Sequence, residues 1–147
     1  MIKWITVIMA TLSYTNAFAS PMYCGGAKGE FSFEKSPSDK YGVESIITIS
    51  RDGRSTILRY DGGIDFIGME CRKTKSGKPM IVFQAYCGGS ACRDLDNYGV
   101  INPADLRVLL VPSDTNRKQA KQILGADPPP IKDTESIRII GEKLYPQ

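Results

Sequence analysis

The stretch Met80-Ile81-Val82-Phe83-Gln84-Ala85-Tyr86, running straight into Cys87-Gly88-Gly89-Ser90-Ala91-Cys92, decides how this chain is read. Gln84 apart, the run before the cysteines is apolar without alternation, the pattern of a strand buried on both faces. Two cysteines separated by small residues, with a glycine pair between them, then predict a short disulfide-closed turn that ends the strand.

Working outward, Ser76-Gly77 reads as a turn and Ile64 to Arg72 as the strand before it, so a hairpin delivers the buried strand. Further upstream, Val43, Ile47 and Ile49 share one face at period two. Arg51-Asp52-Gly53-Arg54 then carries the Asp-Gly pair that tolerates the positive φ of a tight hairpin, and Ser55 to Tyr60 is its return strand. Asp61-Gly62-Gly63 turns the chain again. Phe31 and Phe33, alternating with Ser32 and Glu34, mark a short first strand that Pro37-Ser38-Asp39 ends.

Downstream, Val100-Ile101 and Leu106 to Val111 are two more short strands. Ala120, Ile123 and Leu124 then share a face of a helix, with Ser113 or Asp114 expected to cap its start and Gly125 to close it. Asp127-Pro128-Pro129-Pro130 is an extended spacer. The tail from Thr134 to Leu144 has two readings: Ile137, Ile140 and Leu144 suit a helix, while Ile137 and Ile139 suit a strand. The expected fold is α+β, an antiparallel meander of about five to seven strands packed with one C-terminal helix and, if the tail is helical, a second.

The hairpin register discriminates between the possible disulfides. Residues opposed across Ser76-Gly77 should have numbers summing to roughly 153, with a rise of about 3.3 Å per residue. Cys71 then faces about residue 82 and Cys87 about residue 66, which sets Cys71 and Cys87 about 15 Å apart along the ladder, beyond the roughly 7 Å Cα limit for a bridge. Cys92 stays near Cys87 if the glycines reverse the chain, so Cys71 does not reach it either. Cys24–Cys71 and Cys87–Cys92 are the expected pairs. The chain-entropy estimate is about 4 kcal/mol for closing the long loop and about 2 kcal/mol for the short one.

At the N-terminus, Lys3, the apolar run Trp4 to Leu12 and the small residues of Ala17-Phe18-Ala19 form a secretory signal pattern, assigning residues 1–19 to a signal peptide and 20–147 to a single globular domain. The apolar run is short of the about 20 residues that span a bilayer, so no transmembrane span is expected. Tyr23 before Cys24 excludes a lipobox. Cleavage would leave 147 − 19 = 128 residues, with 18 basic and 16 acidic side chains once Lys3 is removed. A net charge of +2 gives no case for nucleic acid as a partner. An even cysteine number in an exported chain of this size fits the bacterial periplasm.

Histidine is absent from the sequence, and with it the commonest general base, Ser-His and Cys-His nucleophile pairs, and the usual zinc ligands. The Cys87–Cys92 spacing lacks the two-residue gap of oxidoreductase sites, so a structural bridge is expected. Asp94, Asp96, Gly99 and Asp105 fall on calcium-loop positions, but Tyr98 and Pro103 interrupt the pattern. Asp94 or Asp96 with a more distant acid such as Asp61 or Asp65 would serve a carboxylate-dependent glycan hydrolase. Arg72, Lys73, Lys75 and Lys78 crowd one hairpin tip, and Arg117, Lys118 and Lys121 occupy the outer face of the helix.

The candidate binding residues are Arg93, Asp94, Asp96, Asn97 and Tyr98. A tyrosine ringed by charge and held by the preceding disulfide has the makings of a binding hot spot, although it would equally serve to cover the sheet. No cofactor and no metal are expected. The functional expectation is a small exported, non-catalytic module that binds another protein, in the manner of a periplasmic inhibitor or immunity protein acting on a cell-wall hydrolase. The alternatives are a small envelope glycan hydrolase and a calcium-binding structural module.

Overall fold

The computed structural model describes residues 19–92 and 96–146. Among the described residues nine strands and two helices follow in the order β1 (Met22–Cys24), β2 (Ala27–Lys35), β3 (Val43–Arg51), β4 (Arg54–Asp61), β5 (Phe66–Lys73), β6 (Pro79–Tyr86), β7 (Gly99–Asn102), β8 (Arg107–Leu110), α1 (Arg117–Leu124), β9 (Thr134–Ser136) and α2 (Ile137–Leu144). The fold is α+β and antiparallel, as expected, but its strands divide between two sheets. One has the order β1-β2-β3-β4, the other β8-β7-β6-β5-β9. The division falls at Gly62 and Gly63, both at positive φ, which carry the chain out of β4 without returning it alongside. Each sheet can then bury one face against the other.

The inner faces supply the main core. Phe31 and Phe33 of β2, Ile47 and Ile49 of β3, Ile67 of β5, and Ile81, Phe83 and Ala85 of β6 meet there. Val43, Ile47 and Ile49 do share the buried face that their period-two spacing predicts. Strand β2 is longer than the brief alternation around Phe31 implied, and β1 pairs with it across Gly25-Gly26, both at positive φ. The Cys24–Cys71 disulfide, Cα to Cα 5.2 Å, joins β1 in one sheet to β5 in the other. Cys71 pairs with Ile81 in the hairpin, within one residue of the predicted register, and the second bridge is Cys87–Cys92.

Strand β6 sits at the centre of its sheet, buried on both faces from Met80 to Ala85. Its outer face, through Met80 and Val82, meets Tyr98, Val100 and the buried face of α1, Ala120 and Leu124, in a second cluster. Gln84 also points outward, and its Oε1 accepts the Ile131 amide at 2.9 Å. Helix α1 closes on Gly125 at φ 73°, as predicted, but its start is different. Asn116, not Ser113 or Asp114, precedes the first helical residue, and it makes no side-chain cap because its amide group is committed to Tyr98 and Val111.

The helix reading of the tail holds from Ile137 onward, and the strand reading fails at Ile137 and Ile139, which both lie in α2; only the three residues before them are strand. Residues Thr134–Ser136 pair with β5 as β9, and Ile137 then starts α2, which buries Ile137, Ile140 and Gly141. A Cβ at Gly141 would lie 2.5 Å from the Tyr41 carbonyl oxygen, so this glycine lets α2 dock against the chain entering β3. Gly99 plays the same part in β7: a Cβ there would fall 2.2 Å from the fully buried Phe83 ring. Gly99→Ala should therefore destabilise the protein by about 1 to 3 kcal/mol, the usual range for overpacking a filled core, read as a lower urea midpoint with an unchanged slope.

Candidate functional site

Of the residues expected to bind, Arg93 and Asp94 lie outside the described residues. The other three turn progressively inward: Asp96 is half-buried, Asn97 is 6% exposed and Tyr98 is 0% exposed. The Tyr98 amide donates to Asn116 Oδ1 at 2.9 Å, Asn116 Nδ2 donates back to the Tyr98 carbonyl at 2.7 Å, and the phenol donates to the Pro128 carbonyl at 2.8 Å. Burial pushes the Tyr98 phenol above its ordinary pKa, against the opposing pull of Arg117. Tyr98 is thus the side chain that covers the sheet, the second of its two expected roles, and its ring offers nothing to a partner. The cause is one of parity, since Tyr98, just before β7, falls on the same side as Val100, and both pack with Ala120 and Leu124 of α1.

What remains outside is the disulfide loop itself. Gly88 to Ala91 are exposed, while Cys87 and Cys92 at its ends are bridged at a Cα separation of 5.8 Å. The Cys92 amide donates to the Gly89 carbonyl at 2.9 Å, closing a turn inside the bridge. The base of the loop is held by Asp65, whose Oδ2 accepts the Gly88 amide at 2.7 Å. Beneath it the Phe66 and Tyr86 rings stack at 5.4 Å, and a Cβ on Gly88 would come within 2.5 Å of Phe66. Gly88 is therefore required by close approach rather than by φ.

Asp65 is the hub of this region. Its Oδ1 lies 2.5 Å from Lys40 Nζ and accepts the Tyr41 phenol at 2.8 Å, while its backbone carbonyl accepts the first amide of α2, that of Ile137. The Lys40 ammonium first, and the Gly88 amide second, hold the Asp65 carboxyl at a pKa of about 2, against the upward push of burial. Lys40 also lies over the Tyr41 ring, 4.7 Å from its centroid. Both side chains border an open groove between the segment after β2 and helix α2, to which Asp39, Arg138, Glu142 and Tyr145 contribute. Asp65 appears in the sequence only as one distant acid among several, and nothing local announces that Lys40, Tyr41 and Gly88 converge on it.

The other carboxylates are engaged in structure of their own. Asp61 accepts the hydroxyls of Ser36 and Ser38, which lower its pKa. Asp105 accepts the Arg107 amide at 3.1 Å, an aspartate turning its own backbone. The calcium-loop pattern is not one loop: Gly99, its expected turn glycine, lies in β7, paired with Phe83 of β6. Among the described residues no three of the metal-binding acidic or cysteine side chains gather into a possible ion site. Nor is any helix among them long and apolar enough to cross a membrane.

An Asp65 pKa held below its unfolded value makes the ionised network a source of stability above about pH 4 that is lost as pH falls towards 2. Asp65→Asn should lower stability at neutral pH and flatten the acid limb over that interval, measured as urea midpoint against pH. An unchanged limb would show that Asp65 does not anchor the loop. In comparison with known proteins, no family model, no curated protein and no solved structure matches this chain, so its site is read from geometry alone.

Proposed function

We propose that this chain is a non-catalytic protein-binding module of the periplasm, an inhibitor or immunity-type protein that engages a cell-wall hydrolase through its short disulfide loop. One observation carries the reading. Gly88 to Ala91 are exposed yet fixed at both ends, by the Cys87–Cys92 bridge and by the Gly88 amide on Asp65. A loop ordered before contact loses little conformational freedom on binding, so more of the contact energy appears as affinity. The paired cysteines fit an oxidising compartment, and the signal pattern at residues 1–19 directs the chain there.

The hydrolase alternative is weaker on the same geometry. A general acid needs a pKa near working pH, whereas Asp65 is held at about 2 by Lys40 and Gly88, and Asp61 is occupied by two serine hydroxyls. The calcium alternative is weaker because Gly99 and the residues after it are strand.

The test is a pull-down from envelope extract to name the hydrolase, followed by titration of the wild-type protein against that hydrolase on purified cell wall. Ser90→Arg, at the exposed tip, should raise the inhibition constant at least about tenfold, or about 1.4 kcal/mol, with no change in melting temperature. Full inhibition by Ser90→Arg, or turnover of cell-wall glycan by the protein alone, would overturn the reading.

A further inference from the structure

Two clusters of basic residues that are separate in sequence become one surface in the fold. The β5–β6 hairpin tip packs against the C-terminal end of α1: the Lys75 amide donates to the Leu124 carbonyl at 2.8 Å, and a Cβ on Gly125 would lie 2.9 Å from Lys75 Cβ. The Gly125 amide in turn donates to the Lys121 carbonyl at 2.8 Å, and Lys118 precedes Lys121 on the exposed side of the helix. At about 1.5 Å of rise per residue, Lys118, Lys121 and the hairpin contact at Gly125 follow one another within about 11 Å along the helix axis. Across the tip, Lys78 ends the turn that the Thr74 amide closes on its carbonyl at 2.8 Å, while Lys73 keeps the parity of Cys71 and belongs to the side of β5 that meets the first sheet.

The composition of this surface indicates what it would take. Its two arginines are already used: Arg72 donates to Glu70 and to the Pro129 carbonyl, and Arg117 makes a two-point pair with Asp127 at 3.0 Å. Lys75, Lys78, Lys118 and Lys121 remain, all exposed, and among the described residues no carboxylate stands within ion-pair distance of them. Asp96 and Asp127 border the same face beside Arg117, and they are the acidic groups nearest to α1's lysines in the shallow pocket there. These four lysines outweigh the net charge of residues 20–147, so the remainder carries 2 − 4 = −2.

A specific protein interface concentrates arginine and aromatic anchors. Here the arginines are paired within the fold, and what is left is an exposed set of lysines among Ser76, Gly77, Gln119 and Gln122. Lysine ammoniums are compact, freely rotating point charges that suit a diffuse array of phosphates better than a fixed carboxylate geometry. We propose that the Lys75–Lys78 hairpin turn and the Lys118–Lys121 face of α1 form a single docking surface for an anionic phospholipid bilayer, independent of the disulfide loop.

The experiment is flotation of the purified protein with vesicles of phosphatidylglycerol and phosphatidylcholine, against phosphatidylcholine alone. Binding should require phosphatidylglycerol and fall steeply as salt rises from about 0.1 M to about 1 M, where the Debye length shrinks to about 3 Å. Each lysine near an anionic leaflet contributes about 1 kcal/mol, a factor of about five in partition coefficient, so Lys75→Gln with Lys121→Gln should lower it about thirtyfold. Lys28→Gln with Lys143→Gln removes the same charge elsewhere and should leave most of the binding in place. An equal loss in both double variants would reduce the effect to net charge and overturn the proposal. So would absence of vesicle binding together with retention on polyaspartate, which would mark the surface as one for an acidic protein.

Discussion

The structure depends on burying both faces of β6. A strand at the centre of a sheet with an apolar residue at nearly every position must be covered twice, and each cover has its own chemistry. On the inner side, Ile81, Phe83 and Ala85 meet the first sheet, and the Cys24–Cys71 bridge ties that sheet to β5 beside them. On the outer side, Met80 and Val82 meet α1, but an eight-residue helix is too short to cover the whole sheet face. The segment from Pro128 to Asp133 completes the cover.

That segment has three consecutive prolines, so it has few amides with which to pair. It is held by side chains from the sheet beneath it. Tyr98 donates to the Pro128 carbonyl, Arg72 to the carbonyls of Pro129 and Pro130, Gln84 accepts the Ile131 amide, and Glu70 accepts the Lys132 amide. Burial pushes the Glu70 pKa upward, but the Lys132 amide and the Arg72 guanidinium outweigh it and the net shift is downward. Gly68 admits the strap directly over β5, where a Cβ would fall 2.8 Å from the Asp133 carbonyl oxygen. Gln84, the one polar residue in the β6 run, is thus the point at which the strand fastens its own cover.

These contacts explain which parts of the molecule were legible in the sequence. Local patterns sufficed for the doubly buried strand, the Asp52-Gly53 hairpin, the glycine that ends α1, and a register accurate enough to choose both disulfides. In sequence Gly62-Gly63 is one more turn of a single meander, because a glycine pair indicates that the chain changes direction but not which strand it will then lie beside. Ser113 and Asp114 were favoured as caps by residue type, whereas Asn116 was selected by Tyr98, 18 residues away. The site was hardest for the same reason. Tyr98 looked like an anchor among charges until β7 fixed its parity, and Asp65 gains its meaning only from Lys40 and Gly88, 25 and 23 residues distant in sequence (65 − 40 and 88 − 65).

The same hairpin that sets the disulfides also sets the geometry between the two proposed surfaces. The lysine tip follows the Lys73–Pro79 pair, and the disulfide loop follows Tyr86, which pairs with Phe66 at the other end. At about 3.3 Å per residue the two ends stand about 23 Å apart along the strands. The β5–β6 hairpin is rigid over that span, with β6 buried on both faces and β5 bound to β1 by a disulfide. The hairpin-tip lysines therefore stand about two nanometres from Gly88 to Ala91 along the strands, well beyond a Debye length of about 8 Å at physiological salt, whereas Lys118 lines a pocket with Asp96, four residues after Cys92. Lys75 and Lys78 can thus rest on an anionic surface without that surface competing for the loop, so the hairpin tip and the loop can be occupied at once.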